Sequence, residues 1–207
     1  MGVAELPSGD WVVVGAFGRA LHSSDQGKTW QPLPLPASVE DKHMNHIVGD
    51  ASGQHWLIVG ERGLVLRSSD SGQTWAETEP FYDGSLYNAV AFADGGWLVY
   101  GMRGNVFHTS GIDAPWVRSD MPVKASFYGH ATMPDGSLVL VGQGSLVATS
   151  KDQGKSFSIR RVEGRASLTD LVLAPNGTSW LASDSGLQAF STAPAADSTT
   201  SSTGAAQ

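Results

Sequence analysis

The sequence predicts an all-β fold of repeated four-stranded units, the blades of a β-propeller, and three observations lead there. Four apolar runs each end on a glycine: "WVVVG" at Gly15, "WLIVG" at Gly60, "LVYG" at Gly101 and "LVLVG" at Gly142, at intervals of 45, 41 and 41 residues. That spacing marks a repeat architecture, and it fits blades of four strands. A polar octapeptide, "SSDQGKTW" at Ser23 to Trp30, returns as "SSDSGQTW" at Ser68 to Trp75 and "SKDQGKSF" at Ser150 to Phe157. The 207 residues hold 25 glycines and 7 tryptophans and no long runs of Ala, Leu, Glu or Lys, so short strands and tight turns are favoured over helices.

Within a unit the strands follow in a fixed order, a to d. Unit three shows it: strand a in "LYNAVAF" from Leu86, the turn "ADGG", strand b in "WLVYG", the turn "MRG", strand c in "NVFHTS", and strand d from near Trp116. Strand b is almost continuously apolar, as a strand buried on both faces must be. Trp11, Trp56 and Trp97 open this strand and are expected to pack between blades. Units begin near Val3, Met44, Leu86, Phe127 and Leu168, so blades are expected over residues 1–191. Residues 192–207 hold no apolar side chain larger than alanine and are expected to form a disordered tail. Unit five supplies strands a to c and no fourth, which predicts a portion of a longer propeller; a closed five-bladed ring is the alternative.

The octapeptide falls between strands c and d, and its pattern is mechanical. Asp25, Asp70 and Asp152 can accept N–H groups across the turn, Gly27, Gly72 and Gly154 permit positive φ, and Trp30, Trp75 and Phe157 begin the outer strand. Ser23, Ser68 and Ser150 open the motif, and Thr29 and Thr74 precede the aromatic residue. Each copy offers one carboxylate, too few for a calcium loop, so these residues are assigned a clasp role. Unit three has lost the pattern: "TSGIDAPW" at Thr109 to Trp116 puts Gly111 in place of the aspartate and Pro115 in place of the threonine.

Charge and composition remove several classes. A formal charge of -7 with 13 scattered Lys and Arg offers no phosphate-binding surface, so nucleic acid is not an expected partner. The chain has no cysteine, which excludes disulfides, thiolate nucleophiles and Cys-ligated metals. No run of 18 apolar residues occurs, so a membrane-spanning helix is not expected, and the first residues do not read as a signal peptide. His43 and His46 have a spacing seen in zinc sites, but no third ligand is evident; neither a metal nor another cofactor is expected. His22, Arg67 and His108 share one strand-c position and read as a structural slot.

"VGERGLVLRSSDSGQTW" (Val59 to Trp75) and "VGAFGRALHSSDQGKTW" (Val14 to Trp30) closely resemble the repeat of the BNR/Asp-box propellers, in particular the photosystem II stability/assembly factor-like group. The resemblance covers about residues 1–191. It implies a propeller, seven-bladed in many members, acting as a non-catalytic assembly or stability factor in photosynthesis, and an exported setting, periplasm or thylakoid lumen.

The candidate recognition surface follows from the repeat. The b-to-c turns lie on the face opposite the octapeptides. Arg62 in "GERG" and Arg103 in "GMRG" hold the same place there, with Arg19 displaced by one in "GAFGR", and Tyr87 and Tyr128 begin strand a beside those turns. Arg and Tyr are common interface anchors, so these five residues are expected to hold carboxylates of a protein partner, such as a membrane-associated complex under assembly. The main alternative is a sialidase-like glycosidase, because such enzymes also carry Asp boxes. Their Arg-Ile-Pro motif is missing, and neither Glu61 beside Arg62 nor Glu163 near Arg161 and Arg165 rebuilds their site. A glycan-binding module without catalysis is the third class.

Overall fold

In the computed structural model, residues 1–175 and 178–190 are described, and they form five antiparallel sheets that follow one another along the chain. Blade 1 is Gly2–Glu5, Trp11–Val14, Ala20–Ser23 and Gln31–Pro32. Blade 2 is Met44–Gly49, Trp56–Gly60, Val65–Ser68 and Ala76–Glu77; blade 3 is Leu86–Ala91, Trp97–Gly101, Val106–Thr109 and Val117–Arg118. Blade 4 is Phe127–Thr132, Leu138–Gly142, Leu146–Ser150 and Ser158–Arg161. Blade 5 has three described strands, Leu168–Leu173, Ser179–Ser183 and Gly186–Phe190. In every sheet the spatial order is the chain order. The tail expected over residues 192–207 lies outside the described residues.

The core is a set of layers between blades. Strand b of blades 2, 3 and 4 is buried at all five positions, because both of its faces are covered by neighbouring sheets. One cluster joins Val12 and Val14 of blade 1 to Ile47, Ile58 and Leu66 of blade 2; another joins Leu98 and Tyr100 of blade 3 to Phe127, Leu138 and Leu140 of blade 4. Trp56 and Trp97 are buried in these layers as expected. Trp11 is not: it remains exposed, because among the described residues no sheet covers that side of blade 1.

Two local devices fix the blade geometry. In blades 2 to 5, strand a carries one extra residue against strand b; Asn45, Tyr87, Tyr128 and Thr169 are the unpaired ones. Such a bulge bends the strand and re-aims its side chains. Asn45 Nδ2 then donates to the Leu86 carbonyl (2.8 Å) and Asn88 Nδ2 to the Tyr128 carbonyl (3.3 Å), tying one innermost strand to the next.

The second device is a splice at the linkers between blades. At the first linker Gly18 N–H of blade 1 donates to the Lys42 carbonyl, and Glu61 N–H of blade 2 donates to the His43 carbonyl. The pattern returns with Gly63 to Gly84 and Met102 to Ser85, and again with Ser145 to Ala166 and Asp184 to Ser167. Each linker therefore satisfies backbone groups of the blade it leaves and of the blade it enters. It also places all linkers on the same face as the b-to-c turns.

Candidate functional site

The b-to-c turns share one tight conformation. Arg62 and Gly63 have φ of 54° and 68°, and Arg103 and Gly104 have 55° and 70°. Two consecutive left-handed residues make the reversed turn that matches the twist of antiparallel strands. Leu64 N–H closes it on the Glu61 carbonyl (3.1 Å), and Asn105 N–H on the Met102 carbonyl (3.1 Å). In these two turns the second position must be glycine, since a β-carbon on Gly63 would collide with the Tyr82 carbonyl and one on Gly104 with the Val123 carbonyl of the linker. Arg62 and Arg103 thus sit at the turn apex.

Arg19 does not share that slot. In blade 1 the left-handed pair is Phe17 and Gly18, with φ of 54° and 66°, so the apex is held by exposed Phe17 and Arg19 falls two residues beyond it. A β-carbon on Gly18 would press on the Val39 carbonyl, so glycine holds the second position here too, and in "GAFGR" the arginine falls where Leu64 and Asn105 stand in blades 2 and 3. Phe17 packs edge-on against His43 at 4.8 Å. In blade 4 the pair is Gly144 and Ser145, and no arginine occupies the apex.

Tyr87 and Tyr128, both bulge residues, place their rings 5.5 Å apart. Ser126 stands between the turn and these rings: its Oγ accepts the Arg103 N–H (3.2 Å), and it lies near enough to the Tyr87 phenol to oppose the upward shift of its pKa. Burial and the neighbouring Tyr128 raise the Tyr87 phenol above its ordinary range, so it is a neutral donor at physiological pH. Tyr82, in the linker entering blade 3, joins this group, and its phenol is likewise raised by burial and by the charge of Asp83. Its one signal in the sequence is its place beside Tyr87 in "FYDGSLY".

The octapeptides are closed units. In blade 2 the Ser68 hydroxyl donates to Asp70 Oδ1 (2.7 Å) and accepts the Gly72 N–H (2.9 Å). Thr74 N–H reaches Asp70 Oδ1 (2.9 Å) and its hydroxyl reaches Oδ2 (2.5 Å). Blade 1 repeats this with Ser23, Asp25, Gly27 and Thr29, and blade 4 with Ser150, Asp152, Gly154 and Ser156. Hydrogen bonds from Thr29 and Thr74 hold Asp25 and Asp70 down to about 2. Partial burial opposes the shift at Asp152, but bonds from Ser156 bring it to about 2 as well. All three carboxylates are ionised acceptors with their oxygens taken up inside their own turns.

The clasp also works across blades. A β-carbon on Gly72 would press on Leu6 of blade 1, and one on Gly154 would collide with Leu98 of blade 3. Trp75 and Phe157 are buried against those same preceding blades. In blade 4 the backbone joins in: Asp120 N–H of blade 3 donates to the Lys155 carbonyl (2.8 Å) and Phe157 N–H to the Asp120 carbonyl (3.1 Å).

Near the axis the inner strands gather His46, His130, Asp170 and the buried Tyr100, whose hydroxyl lies 2.8 Å from His130 Nδ1. Burial pushes His130 down to about 4; burial and the nearby His130 do the same to His46. His43 and His46 serve different places, one against Phe17 and the other at this axis. Among the described residues no three His, Cys, Asp or Glu side chains converge as metal ligands.

Five sheets in series, those of blades 1, 2 and 4 each clasped by an Asp turn, define an Asp-box β-propeller. The chain belongs to the photosynthesis system II assembly factor YCF48 family, whose profile matches residues 5–194. Two solved structures of that name are similar to it: YCF48 bound to a D1 peptide (21% identity, TM-score 0.66, covering 84% of this chain and 57% of that one) and YCF48 from Cyanidioschyzon merolae (15%, TM-score 0.68, 91% and 66%). The extracellular domain of the hybrid two-component system BT3049 from B. thetaiotaomicron shares the fold at 12% identity and TM-score 0.73, over 93% of this chain and 28% of that one. The chain therefore spans less than two thirds of the length of these structures. No curated protein matches it.

Proposed function

We propose that this chain is a non-catalytic, protein-binding assembly factor that holds a carboxylate-bearing segment of its partner on the face of b-to-c turns. Arg62 and Arg103 receive the carboxylates as forked donors, and the Tyr87 and Tyr128 rings supply the apolar floor. Arg19 contributes from the margin. The observation that carries this reading is the shared apex position of exposed Arg62 and Arg103, with the Arg103 N–H bonded to Ser126 Oγ of the next linker and the Tyr87 and Tyr128 rings paired at 5.5 Å.

Two further facts support it. The clasp-side turns carry Asp10, Asp50, Asp94 and Asp135 as well as the clasp aspartates, against the lysines Lys28, Lys151 and Lys155, so their balance is acidic and an anionic segment is disfavoured there relative to the opposite face. A family relative has been solved with a D1 peptide bound, which makes that peptide the natural first probe. Residues 1–191 act in this reading as one scaffold of blades, and no observation favours a glycosidase.

The test is capture of the chain by an immobilised D1 peptide. Replacing both Arg62 and Arg103 by alanine should weaken binding about 100-fold, from two lost charge-assisted contacts, while the unfolding midpoint stays in place. Equal capture by the double variant would reject the assignment.

A further inference from the structure

The broken clasp of blade 3 builds something in place of what it lost. Gly111 offers no carboxylate, so the Thr109 hydroxyl instead donates to the carbonyls of Gly111 and Ala114, both at 3.0 Å. Asp113, standing where other blades have the clasp glycine, reaches out of the turn and pairs with Arg67 on strand c of blade 2. Trp116 takes a different course from Trp75. It is only partly buried and stacks on Phe81 of the linker, with centroids 5.2 Å apart and 20° between planes. Its indole N–H finds no acceptor among the described residues, whereas those of Trp30 and Trp75 donate to the Gly27 and Gly72 carbonyls.

The result is an open cavity of about 410 Å³ between blades 2 and 3. That volume lies within the usual range of binding clefts. Ile112, Phe81 and Trp116 form its apolar wall, and Glu77, Glu79 and Asp113 supply carboxylates against the single guanidinium of Arg67. Glu77 is shared with Lys42 at 3.0 Å, while Glu79 is exposed and has no ion-pair partner among the described residues.

We propose that this groove docks a basic segment of a partner protein, with the stem of one Arg or Lys lying along the Trp116–Phe81 stack and its cation facing Glu79. Aromatic faces ringed by carboxylates suit a cation that keeps its charge while burying its methylenes. The chemistry is opposite to that of the arginine face, so the two sites take different segments and neither inference depends on the other.

The probe is an acetylated, amidated tetra-arginine peptide titrated into the full chain and followed by amide NMR. The expected result is a saturable shift of the Trp116 indole and of the Ile112 to Ala114 amides, weakened about tenfold by Trp116→Ala and by Glu79→Lys. Glu79 is exposed, so its variant folds even where loss of the indole disturbs the linker. Shifts spread over the aspartate turns at Asp10, Asp94 and Asp135 and indifferent to both variants would overturn the proposal, as would the absence of any shift at Trp116.

Discussion

Blades 1 and 2 carry nearly the same octapeptide, and their clasps close with the same set of bonds, yet the aromatic residue that ends each has a different fate. Trp75 is 8% exposed and Trp30 36%; Trp56 is 6% exposed and Trp11 39%; Leu66 is fully buried and Leu21 39% exposed. Every one of these pairs holds equivalent positions in its blade. The hydrogen-bonded turn is thus a property of eight residues, while burial of its aromatic residue is a property of the blade before it. One motif fastens a hairpin locally and staples a neighbour at a distance.

Substitution of the two tryptophans should break the comparison most sharply. Trp75→Ala removes a ring packed against Leu6 and Leu33 and should cost about 3–5 kcal/mol in urea unfolding, whereas Trp30→Ala should cost under about 1. Equal losses would mean that the turn, and not the staple, carries the stability.

A pH series separates the inner strands from the clasps. His46 and His130 are lowered in the folded protein from 6.5 to about 4, so the unfolded chain binds protons first, and stability is full above pH 6.5 and falls as pH drops toward 4. The clasp aspartates, lowered from 3.8 to about 2, add a second loss only below pH 3.8. His130→Gln should shrink the first stage and leave the second; an unfolding midpoint flat between pH 7 and 4.5 would contradict the burial of these imidazoles.

A smaller effect tests the local half of the clasp. Asp25→Asn and Asp70→Asn should lower the unfolding midpoint by similar amounts, because both turns lose the same acceptor geometry, in contrast to the unequal tryptophans. A loss confined to blade 2 would show that the turn bonds need the neighbour as well.

The same division explains what the sequence could reveal. The clasp is made by contacts two to four residues apart, and the three inner strands of each blade by runs of four to six, so their residue types announce them. Contacts one blade apart leave no such mark. The paired linker carbonyls are backbone groups, the Asp113 to Arg67 pair crosses a blade boundary, and the exposure of Trp11 depends on what lies beside it. Arg19 stands two residues beyond the apex where the sequence suggests one, because aligning the strand-end glycines ignores which glycine must sit at the left-handed position. Tyr82 was missed because a linker has no periodicity to follow.

The central claim is that the clasps hold the blades together while recognition occurs on the opposite face. Hydrogen exchange of the chain with and without the D1 peptide tests it directly. Slowed exchange at the turns 61–64 and 102–105 and at Tyr87 and Tyr128, with the clasps at 23–30, 68–75 and 150–157 unchanged, is the predicted result. Slowed exchange at the clasps with the b-to-c turns unaffected would contradict it.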